Sequence, residues 1–173
     1  MSDPFPILTD DPEATEAVAA ALGRVARPGL VIALAGEMGA GKTTFVRGLA
    51  AGLDSPDPVS SPTYTLMHAY RGRVELRHFD AWMSAREGAF LASGGAEDLL
   101  SGEFVSVLEW AEEVADLLPD DRLTIEIALV TPTERRLAAH AGGERASAAL
   151  DAWRRALADR TEPPAARPVE GGR

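Results

Sequence analysis

A chain of 173 residues with 46% hydrophobic and 25% charged residues fits one soluble domain around a single core. Its formal charge of −10 sets it against phosphate backbones, so strong direct nucleic-acid binding is not expected. Cysteine is absent, which excludes disulfides, thiolate metal sites and a cysteine nucleophile. No apolar run approaches the roughly 18 residues of a membrane helix. The proline-broken start from Met1 to Thr9 lacks the basic region of a signal peptide, so a cytoplasmic location away from membranes is expected.

Asp10 and Asp11 are candidate N-caps, Pro12 suits a first helical turn, and Glu13 lies three after Asp10. A helix is expected from there to about Ala26, with Val18, Leu22 and Val25 on one face, ended by Pro28-Gly29. Leu30 to Ala35 is a continuous apolar run, read as a strand buried on both faces. A glycine-rich loop follows, then a helix from Lys42 to Leu53 with Phe45, Val46 and Leu49 as its apolar face. Asp54 to Pro62 reads as a loop. Tyr64–Tyr70 and Val74–Phe79 read as strands, and the short Arg71-Gly72-Arg73 connection makes them an antiparallel hairpin.

Arg86 to Leu100 holds helical stretches broken at Gly94-Gly95. Phe104 to Leu108 is a short apolar strand, and Trp110 to Leu118 a helix stopped by Pro119. Leu123, Ile125, Ile127 and Leu129 alternate as in a half-exposed strand, which Arg136 to Ala141 can join through the Thr131-Pro132 turn. Ser147 to Asp159 is a last helix anchored by Leu150, Trp153 and Leu157. Residues 161–173 read as a disordered tail, leaving 1–160 as one domain. The order predicts an α/β fold, a single P-loop NTPase domain with a mixed parallel/antiparallel sheet flanked by helices.

The segment Gly36 to Thr43 matches G-x-x-x-x-G-K-[ST] in full, between a buried strand and a helix as the motif requires. Its backbone N–H groups and the helix N-terminus attract phosphate oxygens. The expected nucleotide-binding segment is Glu37, Met38, Gly39, Ala40, Gly41, Lys42, Thr43 and Thr44. Lys42 should reach the terminal phosphates and Thr43 should offer its hydroxyl to magnesium. Lys42 is the sole lysine beside sixteen arginines. A composition that avoids lysine still places one here, where a compact ammonium fits between phosphates and a planar guanidinium does not.

Such a site also needs a carboxylate near magnesium, at the end of a neighbouring apolar strand. Glu109 ends Phe104–Leu108 and Asp80 ends Val74–Phe79; each could instead be a solvated cap or loop carboxylate. The hydroxyl-rich run from Ser60 to Thr65 could close on a phosphate as switch loops do, or simply feed a strand. The histidines are isolated and read as core or surface residues, and Trp82, Trp110 and Trp153 as core or partner contacts. The chain has no asparagine and no glutamine. It therefore lacks the Asn-containing guanine reader and the water-orienting glutamine of GTPases, which favours ATP.

Four blocks in order, GEMGAGKTTFVRGL, VSSPTYTL, HFDAW and VLEWAE, resemble the TsaE (YjeE-like) family over roughly Leu8 to Gly143. The resemblance implies an ATPase using ATP/ADP and Mg2+ in bacterial tRNA threonylcarbamoyladenosine biosynthesis, working with TsaD and TsaB. It implies phosphate and magnesium contacts at Lys42 and Thr43, a switch-like role for Thr63, a hydrolytic role for Asp80, and a magnesium-side role for Glu109 with Trp110 beside it. Thr15 matches the family's segment near the base. After HFD the family commonly continues with tyrosine and arginine; here Trp82 and Met83 stand, and Arg86, one turn on, is the candidate substitute. A competing class is a small-molecule kinase on the same scaffold, with Arg71, Arg73 and Arg77 read as lid arginines.

Overall fold

The structure, a computed structural model, describes residues 4–62, 67–82, 97, 99 and 101–159. In chain order they form β1 (Phe5–Thr9), α1 (Pro12–Val25), β2 (Val31–Ala35), α2 (Lys42–Gly52), β3 (Met67–Tyr70), β4 (Leu76–Asp80) and β5 (Val105–Glu109). A 3-10 segment (Ala111–Leu117), β6 (Leu123–Leu129), β7 (Arg135–Ala141) and α3 (Glu144–Ala158) complete the chain. The strands form a seven-stranded sheet in the order β1-β7-β6-β2-β5-β4-β3 among the described residues. β2 runs parallel to β5 and β6, and β4 parallel to β5. The pairs β1/β7, β6/β7 and β3/β4 are antiparallel. The α/β fold with a mixed sheet is as the sequence predicts.

The unbroken apolar run in β2 follows from its place: it is central, and four of its five residues are buried. One face of the sheet is covered by α1, α2 and α3. There Leu22, Phe45, Leu49, Leu150 and Trp153 pack on Ile32, Leu34, Val107 and Ile125. The other face carries a smaller cluster in which Ala111, Val114 and Leu118 cover Val31, Phe79 and Leu108. Trp153 ties the first layer together. Its indole N–H donates to the Val18 carbonyl at 2.9 Å, and Phe45 and Phe5 meet it edge-on with centroids at 6.1 and 6.4 Å.

Helix α1 begins at Asp11, whose carboxylate accepts from Ala14 N at 2.6 Å, with Pro12 in the first turn. Against it lies α2, so close that a Cβ on Gly48 would run into the backbone of Glu16. Arg47 and Glu16 add an ion pair across the same contact at 2.7 Å.

Four local expectations change. β1 is a strand that Pro4 and Pro6 conceal; it forms the sheet edge beside β7, where a missing N–H is tolerated. α3 starts at Glu144, three residues earlier than expected, because Asp121 reaches across to accept from Arg145 N and Ala146 N at 3.1 and 3.0 Å. The segment after Glu109 is a 3-10 helix with a kink at Val114. Leu129 is 44% exposed, since β2 pairs with β6 only as far as Glu126 and the strand runs on past its cover. The expectations for Arg86 to Leu100 and for the tail fall almost wholly outside the described residues, as do those for Thr63, Met83 and Arg86.

Candidate functional site

Parallel β2, β4 and β5 end side by side, and Asp80 and Glu109 are direct register partners there. In open α/β sheets this carboxyl edge is where ligands bind. The glycine loop leaves β2 at the same edge. Gly36 has φ +142°, and a Cβ there would press on the Ile127 carbonyl, so only glycine lets the chain turn this close to β6. Gly41 sits in the left-handed region at φ +104° as the N-cap of α2, whose first N–H groups have no side-chain cap.

These elements enclose a cleft of about 420 Å³. The loop and α2 supply Met38, Gly39, Gly41, Lys42, Thr43 and Thr44; the strand ends supply Asp80, Trp82, Glu109 and Trp110; and Ser61 closes one side. Met38 is 75% exposed at the rim. Glu37 lines a separate cleft toward Glu126, and Ala40 is buried beneath the loop. Thr15 is buried beside the P-loop, where it lines a small crevice with Gly41, Thr44 and Arg135. Its hydroxyl pairs with that of Thr9 at 2.8 Å.

Lys42 and Glu109 are each 4% exposed and Asp80 3%. Buried charges persist only where partners replace water. Lys42 Nζ donates to the carbonyls of Gly36 at 2.6 Å and Glu37 at 3.0 Å, and lies 3.6 Å from the centre of the Trp110 ring. Burial lowers its pKa below the ordinary lysine value, opposed by the charges of Glu109, Glu112 and Asp80. Thr43 Oγ donates to both Glu109 carboxylate oxygens, at 2.8 and 3.1 Å. Asp80 accepts from Trp82 N at 2.9 Å and faces Ser61 Oγ at 3.5 Å.

Sequence reasoning did not foresee three features. Trp110 adopts φ 58° and ψ 39°, a left-handed conformation that a bulky residue rarely takes. That turn brings its ring over Lys42 and against Trp82, with centroids 4.5 Å apart. His78 is not an isolated core residue: it is fully buried, with Nε2 2.8 Å from Glu109 Oε1. The sequence shows only that His78 and Asp80 are two apart on one strand and share a face; the contact with Glu109 depends on β4 pairing with β5. Arg135 donates to the Ala40 carbonyl at 2.8 Å and holds the glycine loop from the β7 side.

The three arginines read as a lid are engaged elsewhere. Arg71 pairs with Asp57 at 2.7 Å, Arg73 donates to the Gly23 and Ala26 carbonyls at the end of α1, and Arg77 lies 3.5 Å from the Phe104 ring centre. None of them lines the cleft.

The side-chain oxygens at the cleft, the hydroxyls of Thr43, Thr44 and Ser61 and the carboxylates of Asp80 and Glu109, are hard donors of the kind magnesium takes. Among the described residues no group of three His, Cys, Asp or Glu side chains could hold a metal alone. Magnesium commonly relies on one or two carboxylates plus phosphate and water, so the residues present fit it as a partner of a nucleotide. Among the same residues, no helix is long and apolar enough to cross a membrane.

A family model described as threonylcarbamoyl adenosine biosynthesis protein TsaE matches residues 9–137. The tRNA threonylcarbamoyladenosine biosynthesis protein TsaE of Treponema pallidum is 39% identical over 116 residues, 67% of this chain and 85% of that protein. Its namesake from Bacillus subtilis is 38% identical over 138 residues, 79% of this chain and 85% of that one. The crystal structure of Bacillus subtilis YdiB superposes with a TM-score of 0.76 at 31% identity, covering 90% of this chain and 97% of that one.

Proposed function

The chain belongs to the TsaE family, whose role is tRNA threonylcarbamoyladenosine biosynthesis, and from that premise we propose that it binds Mg-ATP and hydrolyses it to support a TsaD–TsaB complex. The observation that carries this reading is the meeting of Lys42, Thr43, Asp80 and Glu109 at one carboxyl edge of the sheet. In this reading the backbone N–H groups of the loop and the Lys42 ammonium hold the phosphates, and Gly41 to Thr44 bring the positive end of α2 to them. Thr43 and Glu109 would hold magnesium, whose charge would offset that on the phosphate oxygens. Asp80 orients the attacking water and accepts its proton at a carboxylate oxygen. The Trp82–Trp110 pair walls this corner from solvent.

Nucleotide choice follows from the sequence, which has no asparagine to build a guanine reader. The acidic charge suits a protein that docks on protein and leaves tRNA to its partners. The kinase alternative loses its argument where Arg71, Arg73 and Arg77 are occupied away from the cleft.

The test is phosphate release from ATP and from GTP, by the chain alone and with TsaD–TsaB. Release from ATP that exceeds the sum of the separate components is the expected result. No release from ATP by the chain, alone or with the partners, would reject the ATPase reading, and release that the partners do not raise would reject the partnership. Transfer of the phosphoryl group to a small-molecule acceptor in place of water would favour the kinase.

A further inference from the structure

Behind Glu109 lies a second tier of polar groups that the phosphate chemistry does not use. His78, on β4, places Nε2 2.8 Å from Glu109 Oε1. Its Nδ1 lies 3.4 Å from the Tyr70 hydroxyl on β3. That hydroxyl is 3.0 Å from the Ser60 carbonyl and 3.4 Å from the Ser60 N–H, and 3.2 Å from His68 Nδ1. Tyr70 is 4% exposed and His78 wholly buried. A continuous chain therefore runs from the backbone at Ser60, one residue before the cleft-lining Ser61, through two rings to the carboxylate that Thr43 also holds.

The hydrogen count along this chain is constrained. A carboxylate only accepts, so His78 Nε2 must carry the hydrogen directed at Glu109. With that hydrogen on Nε2, Nδ1 faces the Tyr70 hydroxyl at 3.4 Å, and Tyr70 is the donor to it whenever the ring carries no second hydrogen. Burial raises the Tyr70 pKa above its ordinary value, so the phenol keeps its single hydrogen. The Ser60 carbonyl at 3.0 Å competes for that same hydrogen, and His68 Nδ1 at 3.2 Å is a further acceptor when its hydrogen is on Nε2. Moving Ser60 changes which acceptor receives it, and with that how the imidazole is held against Glu109.

We infer that Tyr70 and His78 are positioning residues linking the backbone at Ser60 to Glu109, so that this loop sets how firmly the carboxylate is presented to magnesium. The inference rests on the Mg-nucleotide reading of the cleft. Coupling of this kind is reciprocal: magnesium bound beside Glu109 must in turn favour one placement of Ser60.

The experiment titrates Mg2+ against the full chain holding a fluorescent ADP analogue, and reads apparent Mg2+ affinity, with no turnover involved. Melting in EDTA reports separately on folding. His78→Ala should weaken Mg2+ binding by roughly tenfold or more, the effect typical of losing a group that orients a metal ligand. His78→Gln, whose amide can donate from nearly the same position, should stay within about threefold of the wild type. Tyr70→Phe removes one oxygen and should shift the titration in the same direction by at least about twofold. A Tyr70→Phe titration matching the wild type overturns the link to the loop, and it does so even if His78→Ala fails to fold. Equal losses for the Gln and Ala variants overturn the donor role of His78. Wild-type nucleotide binding indifferent to Mg2+ fails the proposed function itself, a result distinct from both.

Discussion

The two halves of the sheet do different work. On the side of β2, β5 and β4 the strands are parallel, and their carboxyl ends hold the buried charges Asp80 and Glu109 beside Lys42. On the side of β6, β7 and β1 the inward residues, Ile125, Ile127, Leu137 and Ala139, are apolar and fully or almost fully buried. The first half concentrates buried charges that backbone groups, the Thr43 hydroxyl and His78 hold in place of water; the second stores burial energy at its apolar positions. A substitution at one of these apolar positions should therefore leave the property governed by the other half intact, which does not extend to Arg135 on β7, the brace of the glycine loop; this separation can be broken experimentally.

The largest effect is expected at Asp80. Asp80→Ala should lower ATP hydrolysis with TsaD–TsaB by about 10²–10⁴-fold, the usual worth of a positioned proton acceptor. Nucleotide affinity should be retained, because Lys42 and the loop amides are untouched. Full turnover by this variant would remove Asp80 from the chemistry. Leu137→Ala probes the opposite half. It should cost about 2–5 kcal/mol in denaturant unfolding and leave ATP affinity of the folded fraction unchanged. A parallel loss of affinity would show that the halves are not separable.

Lys42→Ala should weaken ATP binding by roughly 10–100-fold, the equivalent of a charge-assisted hydrogen bond worth about 1.5–3 kcal/mol. Calorimetry measures it, and affinity within about twofold of the wild type would contradict the assignment. The smallest effect is a pH dependence. Burial holds the Lys42 pKa below its ordinary value, and phosphates favour the charged form. ATP affinity should then be level at lower pH and fall as pH rises through the lowered pKa, before the 10.5 of free lysine. Folding stability carries the opposite sign from this group. The unfolded chain binds the proton more tightly in that window, so stability rises with pH there. A fall in affinity that begins only at the pKa of free lysine would show that burial does not act on Lys42 in the free protein.

The same division governs what the sequence could reveal. The Gly36–Thr43 loop, β2 and the face of α2 are local patterns, and each lies where its spacing predicts. Asp80 and Glu109 could be nominated because strand ends are readable; their meeting in register could not, since it depends on β4 pairing with β5. The His78–Glu109 contact spans 31 positions and the Asp121 cap of α3 about 25. No local periodicity encodes such reach. β1 was hidden by its prolines, which mark an edge strand as readily as a loop. The positive φ of Trp110 breaks a preference that sequence reasoning relies on, and it does so beside the cleft, where strained residues gather.

The contact at Gly48 has a mechanical consequence. There and where Gly52 meets Ala20, backbone lies against backbone, so at these points α1 and α2 have no compliant side-chain layer to shear. They act as one strut, with the glycine loop fixed to its end and braced from β7 by Arg135. The cleft then works like an anvil and a jaw. The loop side is the anvil, and across the cleft from it stand Trp82, Trp110 and Ser61 beside the strand ends.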